Sequence, residues 1–295
     1  MTLINLTDQV MVFKGPTNMG VIKATNDTAV VIDTGLDESI ARKLLREVEK
    51  EGLQIKAIIN THSHADHTGG NAFLVARTSA AVYASEVETP FVENPLLEPA
   101  MLAGGATPWK ELRGKFLMAK PSKVSETLTS GSVSINGITL EIIPLPGHSL
   151  GHIGVLCDNI LFTGDAYISS KTLEKHGIPY NIDITAYLSS LAKLQELKCS
   201  WYVPAHAEPA QDITDLLEKN RSTVLRQIQL IEDWLKEPQT AEDLLVKLCS
   251  HLGAVAANTG LFYLYRSTVL AYLSYLYENN VIQTTLEDNR LLWFK

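Results

Sequence analysis

Between Thr61 and Gly70 the chain reads Thr-His-Ser-His-Ala-Asp-His-Thr-Gly-Gly, which sets three imidazoles and one carboxylate within six positions, directly after the apolar run Ile55 to Asn60. Such a density of ligating side chains is hard to account for without metal. His62 and His64 can turn toward one cation. Asp66 and His67, one turn further on, can serve a second cation a few ångströms away, so the spacing suggests a two-metal site. Three later residues each stand at the end of an apolar segment: His148 after Pro144-Leu145-Pro146-Gly147, Asp165 after Leu161-Phe162-Thr163-Gly164, and His206 after Tyr202-Val203-Pro204-Ala205. With them the candidate ligands number seven, all at expected strand ends.

The elements that must position these residues read as follows. Short β-rich runs, Val10 to Lys14, Met19 to Lys23 and Ala29 to Asp33, precede a helix expected from about Glu38 to Glu51 and closed by Gly52. A second half repeats the plan, with strands around Ser132 to Pro144, Ile153 to Cys157 and Asn159 to Thr163. Between the halves, Val87 to Ser125 mixes prolines and glycines with Phe91, Leu96, Leu97, Met101, Leu102 and Phe116, the composition of a mixed helical insert. Such an insert is placed to fold over the cleft as an apolar lid. A further loop, Tyr167 to Ile182, is expected to touch substrate.

The ligand set resembles the metallo-β-lactamase superfamily, whose signature His-x-His-x-Asp-His, followed by single His, Asp and His ligands, is complete here over roughly residues 1 to 210. The resemblance implies an α/β (α+β) fold, an αββα sandwich of two stacked sheets with helices outside. It implies that His62, His64 and His148 hold one metal, that Asp66, His67 and His206 hold the other, and that Asp165 bridges both. Neutral imidazoles with a few carboxylates suit zinc, two ions per chain. Two cations roughly 3.5 to 4 Å apart would activate a shared water, and the implied reaction is hydrolysis. Asp66 is further implied as catalytic, by accepting a hydrogen bond from that water or passing a proton to the leaving group. In the family Asp33 lies beside the metal site, where it would support the ligand loops by hydrogen bonding; a helix N-cap is the competing role.

Departures from the family pattern narrow the branch. Antibiotic-hydrolysing lactamases most often place Cys where Asp165 stands. Oxygen-reducing di-iron relatives put a carboxylate at the place of His64, and persulfide-oxidising relatives hold one iron with fewer ligands. A glyoxalase-II-like or ribonuclease-like hydrolase is the expectation. Of the other histidines, His152 reads as supporting or structural, His176 as a weak substrate contact, and His251 as a surface residue.

From Thr214 the pattern changes to helices ending near Lys236, near His251 and near Asn280, then a hairpin of Val281 to Leu286 and Arg290 to Phe294. That order resembles a winged helix, and the division expected is a hydrolase domain over 1–213 and a winged-helix-like domain over 214–295. The combination resembles the β-lactamase-like-protein group, whose animal members act on single-stranded RNA. Against RNA, residues 221–295 carry seven Lys/Arg and eight Asp/Glu, and the net charge is −8, so the basic footprint of a polyanion binder is missing. Tyr263, Tyr265, Tyr272, Tyr275 and Tyr277 could stack on bases or belong to a core or dimer interface.

With 295 residues and 45% apolar content the chain can bury a large core. It contains neither a membrane-length apolar run nor an amino-terminal export pattern, and its three scattered cysteines read as reduced thiols, so a cytoplasmic location is expected. The leading expectation is a di-zinc hydrolase of an ester, thioester or lactone-type small molecule, standing alone or as a homodimer. A metal-dependent endoribonuclease acting on single-stranded RNA is the alternative.

Overall fold

The computed structural model describes residues 2–295. Four strands, β1 (Thr2–Asn5), β2 (Val10–Lys14), β3 (Met19–Lys23) and β4 (Thr28–Ile32), lead into helix α1 (Glu38–Lys50) and strand β5 (Gln54–Ile59). Two short helices, α2 (Ala65–Thr68) and α3 (Asn71–Thr78), precede β6 (Ala81–Ser85). The insert then contributes α4 (Thr89–Glu93), α5 (Leu97–Leu102) and one 3₁₀ turn before β7 (Glu126–Leu128). Next come β8 (Gly131–Ile135), β9 (Ile138–Pro144), β10 (Ile153–Cys157), β11 (Ile160–Gly164), α6 (Ser170–His176), α7 (Ile184–Glu196) and β12 (Trp201–Pro204). Helices α8 (Thr214–Trp234), α9 (Ala241–Leu252) and α10 (Thr259–Glu278) and the hairpin β13 (Gln283–Glu287) with β14 (Arg290–Phe294) complete the order.

Strands β1 to β7 form one sheet in sequence order, antiparallel as far as β4 and parallel from β4 to β7. The second sheet runs β12-β11-β10-β9-β8, antiparallel except for the parallel pair β11 and β12. Buried alternate positions explain the stacking. Val10, Val12, Ile22 and Val30 of the first sheet face Leu140, Ile142, Val155 and Phe162 of the second. The opposite face of the first sheet covers α1 through Ala41, Leu44 and Val48 and α3 through Leu74. The resulting layers are helix, sheet, sheet, helix, the α/β metallo-β-lactamase fold with mixed sheets.

One detail differs from the sequence reading: the stretch 132–144 is two strands. Asn136 and Gly137 take φ of 49° and 75°, the left-handed pair that a tight two-residue hairpin needs, so β8 folds straight back on β9.

The carboxy-terminal helices share one core with the second sheet. Ile143, Leu145, Leu161 and Tyr202 pack with Leu217 and Val224 of α8, Leu244 and Leu248 of α9, and Val269, Tyr272 and Leu273 of α10. The order of three helices and a hairpin is present, with backbone bonds between Gln239 and Trp293 extending the hairpin. Helix α10 turns Tyr265 and Tyr272 into this core, while Tyr277 is 46% exposed. Among the described residues no helix is long and apolar enough to cross a membrane.

Candidate metal centre

Each ligand-bearing loop leaves the edge of the sandwich at a strand end. Strand β5 is apolar and buried at its end, and the chain turns at Asn60-Thr61 into α2, so His62, His64, Asp66 and His67 follow within a single turn of helix and its approach. His148 follows β9 through Pro144-Leu145-Pro146-Gly147, Asp165 follows β11, and His206 follows β12. Two glycines let the backbone pass where no side chain fits. Gly147 has φ of 133° and a Cβ there would sit 2.4 Å from the Tyr187 backbone. Gly164 has φ of 51° and its Cβ would press within 2.6 Å of the His152 ring.

The fold brings all seven residues into one cluster. His64 Nδ1 lies 3.0 Å from His62 Nε2 and 3.0 Å from His148 Nε2, giving a three-imidazole focus. His206 Nε2 lies 3.0 Å from Asp66 Oδ2, and His67 Nε2 completes a second group with them. Asp165 stands between the groups, 3.4 Å from His148 and from His206 and 3.5 Å from His67. Within the cluster the buried atoms His67 Nε2 and Asp165 Oδ1 have no hydrogen-bond partner. Enclosed polar atoms without partners are costly, and imidazole nitrogens and carboxylate oxygens that converge on shared points suit metal ions. The donor set therefore fits cations.

Electrostatics of the cluster follow from burial and proximity. Burial pushes His62 well below its ordinary value, with His67 and His64 adding to the effect, and lowers His148 to about 4. Burial opposes charge on His67 as well, but Asp33, Asp165 and Asp66 together hold it well above its ordinary value. His206, against the same opposition, is raised to about 10 by Asp165 and Asp66. The carboxyls of Asp66 and Asp165, despite burial, are held below their usual range by His67 and His206. Both remain anionic, as ligands or proton acceptors must.

Support for the ligands comes from neighbouring loops. Asp33, at φ of 60°, accepts from Thr61 N at 2.9 Å, Thr61 Oγ1 at 2.8 Å and His67 Nδ1 at 2.8 Å. The helix N-cap is Asp37, so Asp33 takes the supporting role. His148 Nδ1 donates to Tyr180 O at 2.9 Å, and His206 Nδ1 to Pro16 O at 3.1 Å. His152 accepts from Asp165 N at 3.0 Å, which sets the Asp165 loop, whereas His251 packs its ring against Trp234 away from the cluster.

Two carboxylates escaped the sequence reading because the insert that carries them reads as an apolar lid. Glu88 is buried and accepts from Ser63 N at 2.9 Å, Ser149 Oγ at 2.7 Å and Gly151 N at 2.8 Å, tying the first ligand loop to the loop of His148. Glu98, on α5, is 8% exposed and its Oε1 lies 3.6 Å from His64 Nε2. Burial, with the charge of Glu88, pushes Glu98 up to about 8. The insert also carries Glu93 and Glu111, so acidity alone did not single them out.

Two openings reach the cluster. One is a cavity of about 200 Å³ bordered by His148, Asp165 and His206 and walled by Ile168, Ile178, Pro179, Leu261, Leu264 and Tyr265, with His176 and Thr172 at its edge. The other, about 160 Å³, lies over Asp66 and His64 under Phe116 and Leu117 of the insert. Tyr180 and Leu264 border both.

The model of the metallo-beta-lactamase superfamily matches residues 12–206, and the chain belongs to that superfamily. Its clustered His and Asp side chains form groups arranged to hold metal ions. Lactamase-like protein adaB of Aspergillus niger is 27% identical over 193 residues, 64% of this chain and 49% of the relative. A protein named thioesterase pkgB, from Emericella nidulans, is 27% identical over 187 residues, 62% of this chain and 44% of that protein. The chain spans about half the length of the curated relatives it matches. Among solved structures, a metallo-beta-lactamase family protein from Thermus thermophilus superposes with a TM-score of 0.77 at 20% identity, covering 99% of this chain and 100% of the other. A beta-lactamase domain protein from Burkholderia ambifaria gives 0.76 at 16% identity, covering 99% and 93%. At these identities the two structures speak to the fold, including its carboxy-terminal helices.

Proposed function

We propose that this protein is a two-zinc hydrolase of an ester, thioester or lactone whose acyl part is apolar. The observation that carries the reading is the apolar cavity bordered directly by His148, Asp165 and His206, which offers a greasy chain or ring a site beside the ligand cluster. In this reading His62, His64 and His148 would hold one ion, Asp66, His67 and His206 would hold the second, and Asp165, placed between the two groups, would serve as the remaining ligand. Zinc bound there would supply a water acidic enough to attack near neutral pH and a Lewis acid for the carbonyl oxygen.

The chain's own residues supply orientation and proton handling. Ile178, Leu261 and Leu264 exclude water around the acyl part. Asp66, one-third exposed in its side chain and anionic, faces the opening under Phe116, where it can accept a proton and return it to the departing alkoxide or thiolate. A relative that bears the name thioesterase agrees with this class of substrate. The carboxy-terminal helix belongs to the same reading, because Leu261, Leu264 and Tyr265 of α10 form one cavity wall.

The test is hydrolysis of an acyl thioester and aryl ester series of graded chain length by zinc-replete protein, beside His64→Ala prepared identically and with end-labelled single-stranded RNA as a competing substrate. Turnover of apolar acyl substrates that vanishes in His64→Ala supports the proposal. Cleavage of the RNA with no ester or thioester turnover refutes it.

A further inference from the structure

We propose that Glu98 is the positioning carboxylate of His64, and that through it helix α5 of the insert is fastened to the three-histidine metal position. The inference rests on the two-metal reading of the site. A histidine that gives one ring nitrogen to a metal carries its proton on the other, and that N–H is normally held by an acceptor that fixes the ring. Four of the five clustered imidazoles have such a partner close at hand: Thr61 Oγ1 at 3.1 Å for His62, Asp33 for His67, Tyr180 O for His148 and Pro16 O for His206.

His64 is reversed relative to its neighbours. Its Nδ1 points at the shared focus with His62 and His148, so Nε2 must carry the proton. Facing that nitrogen is Glu98 Oε1 at 3.6 Å, just beyond hydrogen-bonding distance, in a nearly enclosed carboxyl group. A bound cation would acidify the ring and draw the N–H and the carboxylate together across that short gap. Glu98 differs from the other partners in where it comes from. Asp33, Thr61, Tyr180 and Pro16 belong to the loops of the sandwich, whereas Glu98 sits on a helix of the insert that roofs the opening. Loading of the three-histidine position and placement of the roof are thereby one event.

The experiment measures zinc stoichiometry and affinity of the full chain by competition with a chromogenic chelator, for the wild type, Glu98→Ala and Glu98→Gln. The expected result is a 10- to 100-fold loss of affinity for one ion of two in Glu98→Ala, with the other unchanged and partial recovery in Glu98→Gln, which keeps an acceptor oxygen. Thermal unfolding of the chelator-treated proteins should be alike. Zinc should slow amide exchange across Leu97–Leu102 in the wild type and fail to do so in Glu98→Ala. Glu98→Ala holding both ions at wild-type affinity overturns the inference. So does equal weakening of both ions with a lowered unfolding temperature of the metal-free variant. Wild-type protein that holds a single ion refutes the two-metal reading instead, and its affinity beside that of Glu98→Ala still decides the role of Glu98.

Discussion

His67 Nδ1 donates to Asp33 Oδ2 over 2.8 Å, with both side chains enclosed at the end of β4. The same carboxylate holds the Thr61 amide and hydroxyl, so one residue fixes the start of the ligand run and its last imidazole together. Asp33→Ala is expected to weaken zinc binding by about 10- to 100-fold and to destabilise the metal-free chain by about 3 kcal/mol, since it strands a buried pair. Elemental analysis after a chelator challenge and denaturant unfolding check both parts. Retention of two ions under the challenge would show that His67 needs no such partner.

Asp66 Oδ2 lies 3.0 Å from the His206 ring, accepts from the Thr17 hydroxyl at 3.5 Å and borders the opening under Phe116. Asp66→Asn is expected to lower kcat by about 100-fold or more while the three-histidine position keeps its ion. Steady-state kinetics beside metal analysis separates the two effects. Full turnover with both ions bound would remove Asp66 from proton transfer.

Leu264 lies where the two openings meet. Leu264→Trp should fill the apolar cavity and cut kcat/KM at least tenfold for the longest acyl substrates while sparing the shortest, because a methylene that loses its pocket is worth about 1 kcal/mol or more. An unchanged chain-length profile would place the acyl part elsewhere.

Gly147 cannot accept a side chain: its φ is 133° and the added Cβ would meet Tyr187 N and Cα at 2.4 Å. Gly147→Ala is expected to destabilise the chain by about 1–3 kcal/mol and to displace His148. Calorimetry and zinc content together read this out, and an unfolding temperature like that of the wild type would contradict it.

Burial pushes the Cys157 thiol up to about 11, with Asp158 adding to the effect. The folded chain keeps this proton while the unfolded thiol loses its own near the ordinary value, so stability falls as pH rises from that value toward 11, by at most about 1.4 kcal/mol per pH unit. Alkylation of Cys157 by iodoacetamide near neutral pH should proceed only as fast as the chain opens. Labelling at the rate of a free thiol would mean the site is exposed.

How much of this was legible in the sequence depends on range. The ligand run was, because four donors within six positions need no tertiary knowledge, and the later His148, Asp165 and His206 stand at strand ends marked by Pro, Gly and Ala. The sandwich itself was legible through the alternating and continuous apolar strands. Glu88 and Glu98 were not, since a buried carboxylate looks like a surface one until its partners, Ser63, Ser149 and His64, arrive from 25, 61 and 34 residues away. Nor was the role of α10. Its tyrosines could stack on bases but, spread around one helix, read more readily as core or interface residues, and which of them enter the core, Tyr265 and Tyr272, only the packing shows.

That packing bears on how the molecule is made. Every ligand-bearing loop precedes α10 in the chain, so a ribosome completes the metal-binding residues before it delivers the helix that walls the cavity. By then α7, α8 and α9 are already available to the face that carries Leu145, Leu161 and Tyr202, and only the α10 share of that core is missing. Arrival of α10 then does two things at once: it completes that core and adds Leu261, Leu264 and Tyr265 as one wall of the cavity beside the clustered histidines.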